Sequence, residues 1–187
     1  MSTILTILYE DQIGVDLKDF GLHNLLLQCV CDEVDGVTRW QLKRRIEGHP
    51  KKGDVGVIRA LDSDGRKLLD SGHLIALLDD DKIRPRMGLD LDSCRKIVAD
   101  SLRGKAAGCD VVLLVENTET LLGACARLMG TPWTGGKPTP VERDRLFNRF
   151  AATTNPDLRK RLRDEVPSFG RLVNLAIAWR EMDDAHH

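Results

Sequence analysis

Three short apolar runs, each ending at acidic residues, constrain the fold of this chain more than any other feature. Continuous apolar runs of this length are typical of strands that are buried on both faces, as in parallel sheets. Segments with the three- and four-residue apolar spacing of helices separate the runs. The runs and their acids are Thr3–Tyr9 with Glu10 and Asp11, His73–Leu78 with Asp79, Asp80 and Asp81, and Val111–Val115 with Glu116.

The order of strands and helices predicts an α/β fold with a doubly wound, mostly parallel, Rossmann-like sheet and a helical C-terminal extension. We assign residues 1–130 to the α/β domain and residues 131–185 to a helical extension that packs on the same domain. A Gly48-His49-Pro50 break is expected to end the second helix. The predicted helices are Phe20–Val34, Arg39–Glu47, Asp54–Leu69, Asp92–Ala106, Thr118–Met129, Val141–Ala152, Asp157–Asp164 and Ser168–Trp179.

The acids at the strand ends predict a metal site. Parallel strands end at one edge of the sheet, which is where open α/β sheets place their ligands. Asp79 and Asp81 are two residues apart, so their side chains point to the same side with backbones roughly 7 Å apart. Mg²⁺ and Mn²⁺ prefer such oxygen ligands. A single acid at a strand end is more often a solvated or capping residue, so the prediction depends on Glu10, Asp79, Asp81 and Glu116 converging.

Composition places limits on how the chain could bind nucleic acid. The 187 residues carry a formal net charge of −1, so binding would have to come from local basic clusters. The alternative for each cluster is an ordinary helix face exposed to solvent. Trp133 lies in a Gly/Pro-rich loop, where it could stack on a base or hold the loop against the core. One cluster is Lys43, Arg44, Arg45, Lys51 and Lys52, and the other is Arg143, Arg145, Arg149, Arg159, Lys160, Arg161 and Arg163.

The five cysteines predict a reduced, cytoplasmic protein. They are odd in number, lie in apolar stretches and form no CxxC pair. No apolar run approaches the roughly 20 residues that a membrane helix needs, and no charged leader precedes an apolar segment. The sequence also has no GxGxxG, GxSxG, HxxxH or P-loop motif, which leaves dinucleotide, serine-hydrolase, zinc-hydrolase and nucleotide-binding functions without support.

The run ILYE, ending at Glu10, and the run LIALLDDD, containing Asp79 and Asp81, together resemble the Toprim signature. The chain is most similar to stand-alone prokaryotic Toprim-like proteins of phage defence and to the overcoming-lysogenization-defect nucleases, over roughly residues 1–130. The resemblance implies that Glu10 is a metal ligand or general acid/base. It implies that Asp79 and Asp81 hold Mg²⁺ or Mn²⁺ for phosphodiester cleavage.

Three further residues are candidates around that site. Lys82 would stabilise the leaving group, although it could equally be a solvated loop lysine. Glu116 and Glu119 would add metal ligands, as in some Toprim nucleases. The alternative for this pair is a helix-capping arrangement around Asn117 or Thr118.

Two departures from the Toprim pattern shape the functional prediction. Asp11 follows Glu10, where many Toprim proteins have glycine, and the one tyrosine, Tyr9, lies within a strand. We therefore expect a metal-dependent nuclease acting on DNA or RNA rather than a topoisomerase. As the chain has no P-loop, any ATPase would be a partner protein. The alternative is a non-catalytic regulatory or assembly subunit of a defence complex. A receiver-like domain is disfavoured because no strand-like run ends in lysine.

Overall fold

The computed structural model describes residues 4–11, 20–79, 109–114, 117–133 and 138–184. The predicted class is confirmed: the described strands form a parallel four-stranded sheet, and helices make up the C-terminal part of the chain. The predicted helix Asp92–Ala106 lies outside the described residues. The strands are β1 (Ile4–Asp11), β2 (Ile46–Lys52), β3 (Gly72–Asp79) and β4 (Cys109–Leu114). The helices are α1 (Gly21–Glu33), α2 (Arg39–Lys43), α3 (Gly53–Ser71), α4 (Thr118–Leu128), α5 (Pro140–Ala151), α6 (Pro156–Glu165) and α7 (Pro167–Asp184).

The chain divides by its contacts into two compact units. Unit 1 comprises residues 1–13 and 45–116 and contains the sheet with α3, whereas unit 2 comprises residues 14–44 and 117–187 and contains the other helices. By these contacts α1, α2 and α4, which we predicted as part of an α/β domain over residues 1–130, group with the C-terminal helices. The sheet unit is therefore interrupted in sequence by one helical segment.

The sheet of unit 1 has the strand order β2-β1-β3-β4. Its core on one face is built by Leu8 of β1, by the alternate residues of β3 and by α3. Side chains alternate along a strand, so the β3 residues that face α3 are every second one. The buried residues of this cluster are Leu8, Val57, Ala60, Leu61, Leu74, Ala76 and Leu78.

The strand β2 corrects our prediction for residues 44–52. We expected the helix that starts at Arg39 to continue to Glu47 and then break, but α2 ends at Lys43 and a strand begins at Ile46. Gly48 and Pro50 are poor strand residues, and proline is tolerated mainly where a strand has a neighbour on one side only. Among the described strands β2 pairs with β1 alone. This position explains why a strand forms without the apolar pattern that marks the others.

Unit 2 is held together around α1, which contacts α5, α6 and α7. The side chain of Phe20 makes no capping bond at the start of α1, and instead the backbone N–H of Gly21 donates to Asp144 Oδ1 of α5 at 3.1 Å. Asn24 Nδ2 donates to Asn148 Oδ1 at 2.8 Å. These polar contacts link α1 to α5 beside a leucine-rich buried face.

Candidate functional site

The structure brings Glu10 and Asp79 together at the carboxyl edge of the sheet. Strands β1 and β3 are parallel neighbours, and their register pairs Tyr9 with Leu77, one and two residues before the two acids. Both acids are buried, with 6% of their surface exposed. Glu10 Oε2 accepts a hydrogen bond from the backbone N–H of Asp79 at 2.9 Å. The carboxylate of Glu10 therefore lies at the tip of β3.

The two side chains start from opposite faces of the sheet. Glu10 shares its face with Leu8, which packs against α3, whereas Asp79 follows Leu78 and so leaves from the other face. Glu10 nevertheless reaches the backbone N–H of Asp79 on the neighbouring strand. Glu10 and Asp79 are thus the two described residues that would hold a cation shared between β1 and β3.

The chemistry of this pair fits a hard divalent cation. A carboxylate has about four lone-pair positions, so the amide bond to Glu10 is compatible with a metal on the same group. Such an amide donor also orients a ligating carboxylate. Within the described residues, however, no three His, Cys, Asp or Glu side chains are grouped closely enough to hold a metal ion. A third ligand is therefore still a prediction, and its candidate Asp81 lies outside the described residues, as do Lys82 and Glu116.

Two lysines that we had assigned to a basic patch lie at this same edge. The register of β1 with β2 pairs Glu10 with Lys51 and Asp11 with Lys52. Paired residues on adjacent strands are about 5 Å apart at Cα and project to the same face. Lys51 is half-buried, and among the described residues it makes no side-chain hydrogen bond or ion pair. Recognition of β2 as a strand would have been the signal that places Lys51 beside Glu10.

Glu119 belongs to unit 2, in the first turn of α4. Asn117 caps this helix, because its Oδ1 accepts from the backbone N–H of Thr120 at 3.0 Å. An acidic side chain in the first turn interacts favourably with the positive end of the helix dipole. The position of Glu119 in the first turn of a capped helix agrees with the capping alternative. Its role as a metal ligand remains a prediction.

The first basic cluster is divided by the structure. Lys43 and Arg44 are exposed at the end of α2, whereas Arg45 is half-buried immediately before β2. The guanidinium carbon of Arg44 lies 3.6 Å from the ring centroid of Trp40, a residue that our sequence reasoning missed. The position of Trp40 in a short helix between the basic residues Arg39 and Lys43 is the sequence signal that could have indicated this residue.

The second basic cluster is also divided, between exposed and structural arginines. Arg145 and Arg149 are exposed one turn apart on α5, and Arg143 is half-buried. Arg159 is buried and forms a bidentate ion pair with Asp32, through Nε at 2.5 Å and Nη2 at 2.9 Å. Because its guanidinium is buried in this pair, Arg159 does not present its charge at the surface.

A groove of about 740 Å³ lies between α6 and α7. Three cationic side chains, Lys160, Arg163 and Arg171, line it together with one acid, Asp164. Arg163 pairs with Glu33 of α1, whereas Lys160 and Arg171 make no ion pair with a described residue. The groove thus adds net positive charge to the surface of unit 2.

The structure also describes the surroundings of Trp133, of two histidines and of four cysteines. A Cβ added at Gly123 would lie 3.5 Å from the ring of Trp133, so this ring lies against α4, as expected if it holds the loop in place. His23 is buried in α1. The four described cysteines are free thiols, and burial raises the pKa of Cys29 to about 12. His73 Nε2 lies 2.9 Å from Asp110 Oδ2 near the amino ends of β3 and β4, at the opposite edge from Glu10.

Comparison of the chain with protein-family models, with curated proteins and with solved structures found no match in any of the three. In the part of the chain that the structure describes, none of the helices is both long enough and apolar enough to cross a bilayer.

Proposed function

We propose that this chain is a Toprim-like, Mg²⁺- or Mn²⁺-dependent nuclease that hydrolyses phosphodiester bonds in DNA or RNA. One observation carries the proposal: the Glu10 carboxylate lies 2.9 Å from the amide of Asp79, at the adjoining ends of two parallel strands. The sequence motif requires an acid from each of these two strands. The adjacent positions of the two acids at the carboxyl edge of the sheet, where open α/β sheets bind ligands, support the proposal.

The chain's own residues have distinct roles in this proposal. Glu10 and Asp79, with Asp81 as the third ligand, would hold the cation, which when bound would polarise the phosphoryl oxygens and neutralise charge in the transition state. The amide of Asp79 fixes the Glu10 carboxylate, so that this ligand is preorganised. Lys51, beside Glu10 on β2, would donate to a non-bridging phosphate oxygen, and Lys82 would stabilise the leaving group.

Basic side chains of unit 2 would bind the phosphate backbone of a nucleic acid. Arg145 and Arg149 on α5, and Lys160 and Arg171 in the groove between α6 and α7, are positively charged groups on a chain of net charge −1. Contacts of this kind to phosphates provide sequence-independent affinity that falls with salt. We expect the nuclease to bind its polymer without strong sequence preference. We also expect it to act as the effector of a phage-defence or toxin-like system in which a partner protein is the ATPase.

A non-catalytic regulatory or assembly subunit is the second candidate, and one observation favours it. The Glu10 carboxylate already has a structural task, since it accepts the amide of Asp79. Together with Asp11 in the position where many Toprim proteins have glycine, this bond would also suit a site that keeps its shape without cleaving a substrate.

Cleavage of supercoiled plasmid and of single-stranded DNA and RNA by the purified protein tests the proposal. With Mn²⁺ or Mg²⁺ present we expect wild type to cut at least one of these polymers. Asp79→Asn should lower the rate by about 100-fold or more, because it removes a ligand charge while leaving the backbone amide that holds Glu10. Asp62→Asn, an exposed acid on α3, is the matched control and should cleave like wild type. Equal cleavage by Asp79→Asn and wild type would contradict the proposal, and so would no metal-dependent cleavage of any of the three.

A further inference from the structure

An exposed tryptophan on α2 is the most unusual surface feature of unit 2. Trp40 is 61% exposed, the most exposed large hydrophobic residue of the described chain. One exposed hydrophobic side chain is common on a protein surface, so its meaning depends on the charges and the helix around it.

The helix that carries Trp40 is fixed on its other side. Thr38 and Gln41 form a capping box at its start, with Thr38 Oγ1 accepting from the Gln41 amide and Gln41 Oε1 accepting from the Thr38 amide. Leu42 is fully buried, and α2 contacts α1. These contacts fix which face of the five-residue helix is buried and which face is exposed to solvent.

That outer face is strongly positive. Arg39, Lys43 and Arg44 are exposed, and α2 contains no acidic residue. Neither Arg39 nor Arg44 makes an ion pair with a described residue. Arg44 instead stacks over the Trp40 ring at 3.6 Å, which keeps one cation next to the aromatic surface. We refer to Arg39, Trp40, Lys43 and Arg44 as the Trp40 platform.

We infer that the Trp40 platform binds single-stranded nucleic acid, with a base stacked on the Trp40 ring and the flanking phosphates on the three cations. The charge complementarity favours a polyanion, and the part of the Trp40 ring that Arg44 leaves exposed favours one whose bases are accessible. In a duplex the base faces are covered by their neighbours, so the platform discriminates against it. This inference deepens the proposed function, on which it rests for its biological meaning, because it names the substrate class of the nuclease.

Tryptophan emission provides a direct readout of this contact. The chain has three tryptophans, Trp40, Trp133 and Trp179, so the double variant Trp133→Phe/Trp179→Phe leaves Trp40 as the sole emitter. We expect a 12-nucleotide oligo(dT) to quench this emission in EDTA, where no cleavage occurs. A 12-base-pair duplex should leave it unchanged. The apparent affinity should fall steeply as salt is raised, because phosphate contacts release counterions.

Variants in the otherwise unchanged full chain then separate stacking from charge. Trp40→Ala should weaken oligo(dT) binding, measured by anisotropy of a labelled strand, by about 5- to 150-fold, whereas Trp40→Phe should retain most of it. Lys43→Ala should weaken it and reduce the salt dependence. Lys67→Ala, an exposed lysine of α3, is the matched control and should bind like wild type.

Three results would overturn the inference. These are an unquenched Trp40 with oligo(dT), equal quenching by the duplex, and equal affinities of Trp40→Ala and wild type. Trp and Arg are also frequent at protein interfaces. The inference would also be contradicted if the chain self-associates, Trp40→Ala abolishes that association and the oligonucleotide has no effect. The Trp40 platform would then bind a second copy of the chain. Because binding is measured in EDTA, its failure is distinguishable from a failure of metal-dependent cleavage.

Discussion

At the residue scale, Arg159 makes several polar contacts within the described part of unit 2. Besides its bidentate pair with Asp32 of α1, its Nη1 donates to the carbonyl oxygen of Thr153 at 2.7 Å and to that of Ala151 at 3.3 Å. The side chain is only 5% exposed. It thus joins α1, the end of α5 and α6 through one guanidinium.

We predict that Arg159→Lys lowers the free energy of unfolding by about 2 kcal/mol or more. Lysine keeps the charge but cannot make the planar, two-pronged contact with Asp32 and still reach the backbone carbonyls. Arg161→Lys, two residues away and exposed, is the control and should change stability by less than about 0.5 kcal/mol. Urea unfolding of the three proteins measures the difference, and equal stability of Arg159→Lys and wild type would contradict this role.

The sequence around Arg159 shows what residue-level reasoning could and could not predict. The run from Arg159 to Arg163 reads as a basic patch, because composition does not distinguish a buried arginine from its exposed neighbours. Helical spacing does distinguish them, because Leu162 and Val166 follow Arg159 by three and seven residues and all three residues are buried. A charged residue in register with an apolar stripe is therefore a candidate for a buried ion pair.

At the element scale, strands with an apolar pattern were predictable and the remaining one was not. The strands β1, β3 and β4 were expected within two residues of their observed ends, because burial on both faces requires continuous apolar residues. The strand β2 has one sheet neighbour and the sequence IEGHPKK, so its pairing with β1 arises from tertiary context. Because we did not predict β2, we also did not predict that Lys51 lies beside Glu10.

The contact between the starts of β1 and β3 gives a test at this scale. A Cβ on Gly72 would lie 2.0 Å from the carbonyl oxygen of Ile4, and a backbone atom in a paired strand cannot move aside. We predict that Gly72→Ala lowers the free energy of unfolding by about 3 kcal/mol.

The control for this prediction is a second glycine in a roomier site. Gly123 lies within α4, where an added Cβ would make only ordinary contact with Trp133. Gly123→Ala should raise stability by up to about 1 kcal/mol, because alanine favours helix more than glycine does. Urea unfolding that shows both variants as stable as wild type, or shows the opposite signs, would contradict the packing described for β1 and β3.

At the scale of the whole molecule, the proposed acidic site belongs to the sheet unit, and the basic and aromatic surfaces belong to the helical unit. A nearly neutral chain has no overall attraction for a polyanion, so such surfaces must be local. The meeting of Glu10 and Asp79 could be anticipated because parallel strands share a carboxyl edge. Trp40 could not be assigned from composition, since a single tryptophan in a short helix is usually buried.

The claim on which the nuclease proposal depends is that Glu10 is a ligand and more than a structural acceptor. Calorimetric titration of Mn²⁺ into wild type and Glu10→Gln tests it most directly. Glutamine can still accept the amide of Asp79 through its side-chain oxygen but has no negative charge, so the fold should melt at the wild-type temperature. We predict that wild type binds Mn²⁺ and that Glu10→Gln binds it at least about tenfold more weakly. Equal Mn²⁺ affinity of the two proteins, or no binding to wild type, would contradict the account.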